Sequence, residues 1–456
     1  MKIPVYRPSL VDFTLSPHVV ECGKVFRFSW RGNGIETALS PDTEYTVRFI
    51  PQEQIATAKT LEIGDSGCYP EIKCTADGAG VLHFTHKLES EQIYTFRLLD
   101  GEGKRINDSK VFAAKSDLWE RIPMRGNAHC HVCCSVDGHE DPVIAASLYR
   151  KAGFDYLAIT DHHKTDGSVY AVNNMKPFPT EMALYYGEEV HVPNAYLHIV
   201  NVGALIDGDG GLDKYYREHK EQVDAAVRDI AAEYKDKLPA GVEVMDFAWR
   251  KWVADTIREN GGIAIIAHPF WEYDANNTSN AMLEYLIRTK LFDAVEIIHG
   301  QDEPDVTDAN RQTAFWNDLR AQGLFIPVVG ADDAHRRNYN WDYGSDFNKA
   351  FTVVFAKDNS FEGFCEAIRG GYSVAVSHRA GSAGEVTGTY RLTKYAIFLL
   401  EYYFPFHDEL CFEEGRAIKE AYLGSEDDLG VLKLINGRVG KYTSAFMGRT
   451  AADSEA

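Results

Sequence analysis

Tyr156-Leu-Ala-Ile-Thr-Asp-His-His163 is an apolar run that stops abruptly at an acid and two histidines. Tyr156–Thr160 reads as a strand buried on both faces rather than an alternating, half-exposed one. Upstream, Pro142 to Ala152 reads as a helix, with Asp141 as its N-cap and Gly153 as its stop. The same unit recurs downstream. Helix Trp249–Glu259 stops at Asn260-Gly-Gly262 before strand Ile263–Ala267, helix Met282–Thr289 precedes strand Ala294–Ile298, and helix Arg311–Gln322 precedes strand Phe325–Val329. Apolar strands alternating with helices form a parallel sheet covered on both sides, most simply a closed or distorted α/β barrel.

The ends of these strands carry the chemistry. Eleven of the sixteen histidines lie between His129 and His335. They cluster as His129-Cys-His131, Asp161-His-His163, Glu188-Glu-Val-His191, His198, Ala267-His-Pro269 and Asp332-Asp-Ala-His335. In α/β barrels the C-terminal strand ends carry the catalytic residues, and clustered histidine and carboxylate suit a multinuclear metal site. His129 and His131, two apart on a strand, would share a face. Any one of these clusters has an innocent explanation; six obeying one rule do not read as satisfied core histidines. Cys130, Cys133 and Cys134 lie beside the first cluster, but no second cysteine pair at zinc-site spacing follows, so they read as small residues next to the site.

The flanks differ in character. Residues 1–118 alternate in short segments, among them Val25–Trp30, Tyr45–Ile50, Val81–His86 and Ile93–Leu98, separated by Gly, Pro, Asp and Asn turns. That spacing predicts a small all-β sandwich with no recognisable chemistry, its His83 and His86 being ordinary strand residues. The barrel is expected over 122–380. About 70 residues separate His198 from His268, more than one α/β unit needs, so 207–250 reads as an insertion able to cover the mouth, with a charged helix from Leu212 to Leu238. Residues 381–456 read as a helical C-terminal extension, with helices near Tyr390–Phe404 and Glu413–Leu423 and a disordered tail.

Bulk properties narrow the function. A net charge of −21 over 456 residues argues against nucleic acid and anionic membranes as partners. It leaves small phosphorylated substrates open, because bound divalent ions dominate their local field. The N-terminus lacks an apolar targeting segment, no run is apolar enough to cross a membrane, and the eight cysteines read as reduced thiols. A cytoplasmic enzyme is expected, of open oligomeric state.

From Asn127-Ala-His-Cys-His131 to Gly370-Gly-Tyr-Ser-Val-Ala-Val376 the chain resembles the polymerase and histidinol phosphatase (PHP) family of metal-dependent phosphoesterases. The shared motifs are His-x-His, Ser135-Val-Asp-Gly138, Leu157-Ala-Ile-Thr-Asp-His162, Gly187-x-Glu189, His198, Ala267-His-Pro269, Val295-Glu296 and Asp333-Ala-His335. The ordered set is specific, although each motif alone is weak. The resemblance implies a distorted (β/α)7 barrel holding two or three divalent ions. It places His129, His131, Glu189 and Asp333 on the first ion, and Glu189 bridging to a second with His198 and His268. A third would take Asp137, His162 and His335. Mixed nitrogen and oxygen donors suit zinc, manganese or iron without choosing among them.

Several alternatives stay open on sequence alone. His139 competes with Asp137. Glu189 and Asp333 are preferred to Glu188 and Asp332 by motif spacing only. His163 and His191 read as supporting residues, Glu296 as a support rather than a ligand, and His299 as either structural or a substrate contact.

The expected reaction is hydrolysis of a small phosphate ester. Clustered divalent ions make hydroxide available near neutral pH, and Asp137, His162 or His335 can assist proton transfer. Arg336 and Arg337 are candidate phosphate contacts through their planar donor forks, with Arg379 a weaker one. Two other readings compete: metal-assisted cleavage of an amide or cyclic ester, and a catalytically idle binding or scaffold protein. A proofreading exonuclease is disfavoured by the charge.

Overall fold

The computed structural model describes residues 11–53, 69–193, 197–208, 210–272, 277–300, 303–335, 349–377 and 384–449. The chain divides into two compact units. One comprises Pro123–Ala396 with Asp408–Asn436; the other comprises the chain up to Ile122 together with Ile397–His407 and the residues from Gly437 on.

The N-terminal unit contains strands β1 (Phe13–Ser16), β2 (Val19–Glu21), β3 (Val25–Gly32), β4 (Glu44–Pro51), β5 (Glu71–Thr75), β6 (Val81–Lys87), β7 (Gln92–Leu99) and β8 (Arg105–Ala114), and the short helix α1 (Ser116–Trp119). They form a three-stranded sheet in the order β1-β3-β6 and a five-stranded sheet in the order β2-β8-β7-β4-β5. Alternation sends Phe26, Phe28 and Trp30 of β3 inward together with Val47 and Phe49 of β4, so the two sheets share one core. Phe28 stacks on Phe84 at 5.3 Å and meets Phe96 edge-on at 5.0 Å.

The other unit contains β9 (Ile122–Asn127), which enters from the β unit, then α2 (Pro142–Lys151), β10 (Tyr156–Ala158), α3 (Asp166–Met175), β11 (Ala183–Tyr185), β12 (Gly187–Val190), β13 (Ile199–Val202), α4 (Leu212–Glu218), α5 (Lys220–Tyr234), α6 (Val244–Glu259), β14 (Ile263–Ile266), α7 (Asn280–Thr289), β15 (Ala294–Ile298), α8 (Glu303–Ala321), β16 (Val328–Gly330), β17 (Ala350–Ala356), α9 (Phe361–Arg369), β18 (Ser373–Ser377) and β19 (Glu385–Thr387). As expected, Asp141 caps α2, accepting from the backbone N–H groups of Val143 and Ile144, with Pro142 opening the helix.

The strands do not form one closed parallel sheet. They form two open mixed sheets, β11-β10-β9-β17-β18-β19 and β12-β13-β14-β15-β16. β13 runs antiparallel to both β12 and β14. The reason is connection length: β12 ends at Val190 and β13 begins at Ile199, too few residues for a crossover helix. Isolated parallel bridges, Cys130 to Ala334 and His162 to Glu189, link the sheets beside the histidine clusters. The 207–250 insertion is helical but broken: α4 ends and α5 begins at His219, whose ψ of 30° departs from the helix. α6 starts at Val244, capped by Glu243, earlier than its apolar pattern suggested.

The C-terminal segment is helical, as α10 (Tyr390–Tyr402), α11 (Phe404–Tyr422), α12 (Glu426–Ile435) and α13 (Arg438–Phe446). It is not a body of its own, because its residues divide between the two units. Within the α/β unit, Glu414 of α11 receives a buried Arg150 at 2.9 Å. Within the β unit, the backbone N–H of His18 donates to Phe446 and the His18 ring stacks on Phe446 at 5.1 Å. No helix among the described residues is long and apolar enough to cross a membrane.

Candidate metal centre

Glu189, at the third position of β12, is the hub of the site and only 1% exposed. Its Oε1 lies 2.7 Å from His198 Nδ1 and 3.4 Å from His268 Nε2. Its Oε2 lies 3.5 Å from both His129 Nε2 and His131 Nε2, 2.8 Å from His162 Nδ1 and 3.4 Å from His191 Nε2. One carboxylate thus faces two separate histidine sets through its two oxygens. Glu188 points elsewhere: its carboxylate accepts the backbone N–H groups of Leu212 and Asp213 at the start of α4. A Cβ on Gly211 would lie 2.2 Å from that carboxylate, so any other residue there must displace it.

Asp333 completes the first set, with Oδ1 3.3 Å from His129 Nε2 and 3.0 Å from His131 Nε2. Its φ of 47° is a left-handed conformation uncommon for any residue but glycine, the kind of strain that concentrates at functional sites. Asp332 is turned away, receiving Asn127 Nδ2 and, at 2.8 Å, the Tyr149 hydroxyl. Main-chain bonds from His131 to Ala334 and from Asp333 to His129 lock the two segments in register. Glu296 stands behind them: it lies 3.3 Å from His129 Nδ1 and accepts the His268 backbone N–H at 2.9 Å. A carboxylate behind a histidine fixes its tautomer and leaves Nε2 for a cation.

A third group lies at the more exposed edge. Asp137 Oδ2 is 3.1 Å from His162 Nε2 and 3.5 Å from His335 Nε2, and His131 stacks on His335 at 4.3 Å. His131, Asp137, His162 and His335 each offer a donor within 4.8 Å of the others. His139 is exposed and meets this group only through its main chain, donating to the His335 carbonyl.

Burial alone would neutralise the cluster's acids and bases, yet opposite charges reverse it. Burial raises the Glu189 and Asp333 carboxyls, but the surrounding histidines outweigh it and hold both well below the usual range. Burial lowers His162, but Asp137 and Glu189 outweigh it and lift its imidazole to about 10. For His131 and His198 burial wins and lowers them to about 4. The carboxylates and the neutral His131 and His198 are therefore in the states a divalent cation requires, whereas His162, and His129 and His268, which burial lowers but the neighbouring carboxylates raise on balance, would give up a proton to a bound ion.

The remaining sequence-selected residues fall in various places. His299 is 1% exposed, its ring 5.2 Å from His268 and its Nδ1 3.4 Å from Gln312. Arg336, Arg337 and Arg379 lie outside the described residues. His163 turns to Asp213, with Nδ1 2.7 Å from the carboxylate. His191 places Nε2 3.4 Å from Glu189 Oε2 and 2.8 Å from His162 Nδ1. Two neighbours carried no motif. Asp213 sits in the inserted helix, and the Trp271 ring is 5.4 Å from His198 and 5.9 Å from His268. The step from His268-Pro to Trp271 was the one available signal for the latter.

The residues fit divalent cations. His129 Nε2 and Glu189 Oε2 are fully buried and make no well-aligned hydrogen bond, which costs stability unless a charge fills the space between them. A tetrahedral ion with ligands about 2.1 Å away sets neighbouring donors about 3.4 Å apart, close to the 3.0–3.5 Å spacings of His129, His131, Glu189 and Asp333.

Fold and cluster together define an α/β protein whose histidines and carboxylates could hold divalent metals. No family model matches the chain, and no curated protein matches it. Among solved structures it is similar to PHP-like metal-dependent phosphoesterases. One is a two-domain protein from Bacteroides vulgatus containing a predicted PHP-like metal-dependent phosphoesterase, at 15% identity over 57% of this chain and 66% of that one, TM-score 0.39. Another is a provisionally assigned metal-dependent phosphoesterase from Bifidobacterium adolescentis, at 16% identity over 46% of this chain and 87% of that one, TM-score 0.31. An amidohydrolase from Chromobacterium violaceum with bound sulfate shares 20% identity over 46% and 87%, TM-score 0.30.

Proposed function

We propose that this chain is a metal-dependent phosphoesterase acting on a small phosphate ester, with its two sheets forming the wall of a distorted PHP-type (β/α)7 barrel over 122–380. The observation that carries the proposal is Glu189, whose two oxygens face separate histidine sets while Asp333 closes one of them. His129, His131, Glu189 and Asp333 would hold one ion, Glu189, His198 and His268 a second, and Asp137, His162 and His335 a third. Such ions lower the pKa of water and stabilise charge on phosphoryl oxygens.

The chain's own groups divide the remaining work. Asp137 and His335 have side chains 44% and 31% exposed, the most open of the set, and with His162 beside them we assign proton movement to this edge. Glu296 orients His129, and Arg336 and Arg337 would bind the phosphate. All the described cysteines are free, in keeping with a reduced, cytoplasmic setting.

The test is metal analysis of the purified full chain, followed by assay with manganese or zinc against an aryl phosphate and a phosphomonoester panel. Two or more ions per chain and phosphate release, abolished in His131→Ala with an unchanged circular dichroism spectrum, are expected. Fewer than two ions would end the multinuclear reading. Cleavage of peptides or lactones but no phosphate ester would replace phosphoesterase by another hydrolase, and full occupancy with no hydrolysis would make the chain a binding protein.

A further inference from the structure

The first helix of the 207–250 insertion packs directly behind the histidine cluster. Asp213, in the first turn of α4, is 3% exposed. Its Oδ2 accepts the backbone N–H of His191 at 3.0 Å, and its Oδ1 is 2.7 Å from His163 Nδ1. The His163 and His191 rings lie 4.7 Å apart, so one carboxylate fixes the main chain of one histidine and the ring packed against it. His191 Nε2 in turn lies 2.8 Å from His162 Nδ1, while His162 Nε2 faces Asp137 at 3.1 Å. Glu188, next to the hub Glu189, returns the grip by accepting the N–H groups of Leu212 and Asp213. The strand that supplies the hub and the helix of the insertion are therefore latched to each other on both sides of Glu189.

Resting on the metal-site reading above, we infer that Asp213 and His191 are positioning residues: His191, held by Asp213, engages His162 Nδ1 together with Glu189 Oε2, and leaves His162 Nε2 for the ion shared with Asp137 and His335. A histidine ligand whose second nitrogen is held in this way keeps one tautomer and one ring orientation. His191 thereby joins Glu189 in holding the second nitrogen of a ligand, and the insertion is part of the metal centre. Asp213 is a buried charge whose oxygens are engaged by an N–H group and an imidazole, as a charge kept in the interior must be.

The experiment titrates the metal-stripped full chain with cobalt(II), reading the visible d–d spectrum and the stoichiometry by elemental analysis. The proteins compared are wild type, Asp213→Ala, His191→Leu and His191→Gln. The glutamine amide oxygen can replace Nε2 as an acceptor; leucine cannot. The expected result is a roughly 10- to 100-fold weaker uptake of one ion and an altered spectrum in Asp213→Ala and His191→Leu, with His191→Gln near wild type. Circular dichroism of the metal-free proteins reports folding, and should Asp213→Ala misfold, the His191 pair decides. Unchanged titrations in Asp213→Ala and His191→Leu overturn the inference while leaving the metal site intact. Equal loss in His191→Leu and His191→Gln also overturns it, by making His191 a ligand. A wild type that takes up no cobalt sinks the metal-site reading itself.

Discussion

At the scale of single residues, Glu189 and Asp333 each stand beside a second carboxylate that does something else. Glu188 receives the main chain of α4 and Asp332 receives Asn127 and Tyr149. For the glutamates the difference in duty follows from direction, since adjacent residues on the extended chain of β12 point to opposite sides, whereas Asp333 parts from Asp332 at a left-handed backbone turn. Glu189→Gln keeps the shape of the side chain and removes its charge. It should therefore eliminate at least one bound ion and lower hydrolysis on the order of 100-fold, whereas Glu188→Gln should leave the metal count unchanged. Elemental analysis of both variants beside a rate measurement checks this; equal metal loss in the two would contradict the separation of roles. Motif spacing already favoured the second acid of each pair, but the work done by the first acid was invisible, since its partners lie 24 and 205 residues away.

At the scale of elements, local rules and packing can be tested separately. Asp141 caps α2 by two hydrogen bonds to Val143 and Ile144, so Asp141→Ala should cost about 1 kcal/mol in urea unfolding. Gly211 has an ordinary φ of −96°, so its demand is one of space. Gly211→Ala would push Glu188 off the start of α4 and cost on the order of 1–3 kcal/mol; a neutral result would show that the Glu188 carboxylate moves freely. Asp141 was readable from sequence because a cap acts over three residues. The Glu188–Gly211 fit was not, because it forms only when β12 and the insertion meet. The break at His219 and the antiparallel β13 were missed for related reasons: periodicity reports which face is buried, not strand direction or helix continuity.

At the scale of the whole molecule, the two units should answer to different variables. His18 in the β unit is half-buried, and burial lowers its pKa below 6.5, partly offset by its bond to the Lys110 carbonyl. The unfolded chain then binds the proton more readily, so the stability given by neutral His18 is complete above pH 6.5 and is lost as pH falls through the lower folded value. His18→Phe should flatten the fall in melting temperature between about pH 7 and about pH 5; an unchanged slope would assign the acid sensitivity to other groups. The other unit should answer to metal. Chelation would leave Glu189 and Asp333 facing each other across unfilled donors. At free metal about 1,000 times Kd, its removal should cost about 4 kcal/mol, seen as a lower melting temperature in EDTA that returns with manganese or zinc.

By itself the sequence determined that an α/β unit with a histidine-rich set of strand ends follows an all-β segment, because burial period and side-chain type are local properties. It selected His129, His131, Glu189, His198, His268 and Asp333, which the fold brings within a few ångströms of one another. Only the tertiary structure decided that the strands form two mixed sheets, that the C-terminal helices divide between two units, and that Asp213 of the insertion stands behind His191. Each of those depends on contacts between segments distant in the chain, where loop length, strand direction and the space left by glycine act together.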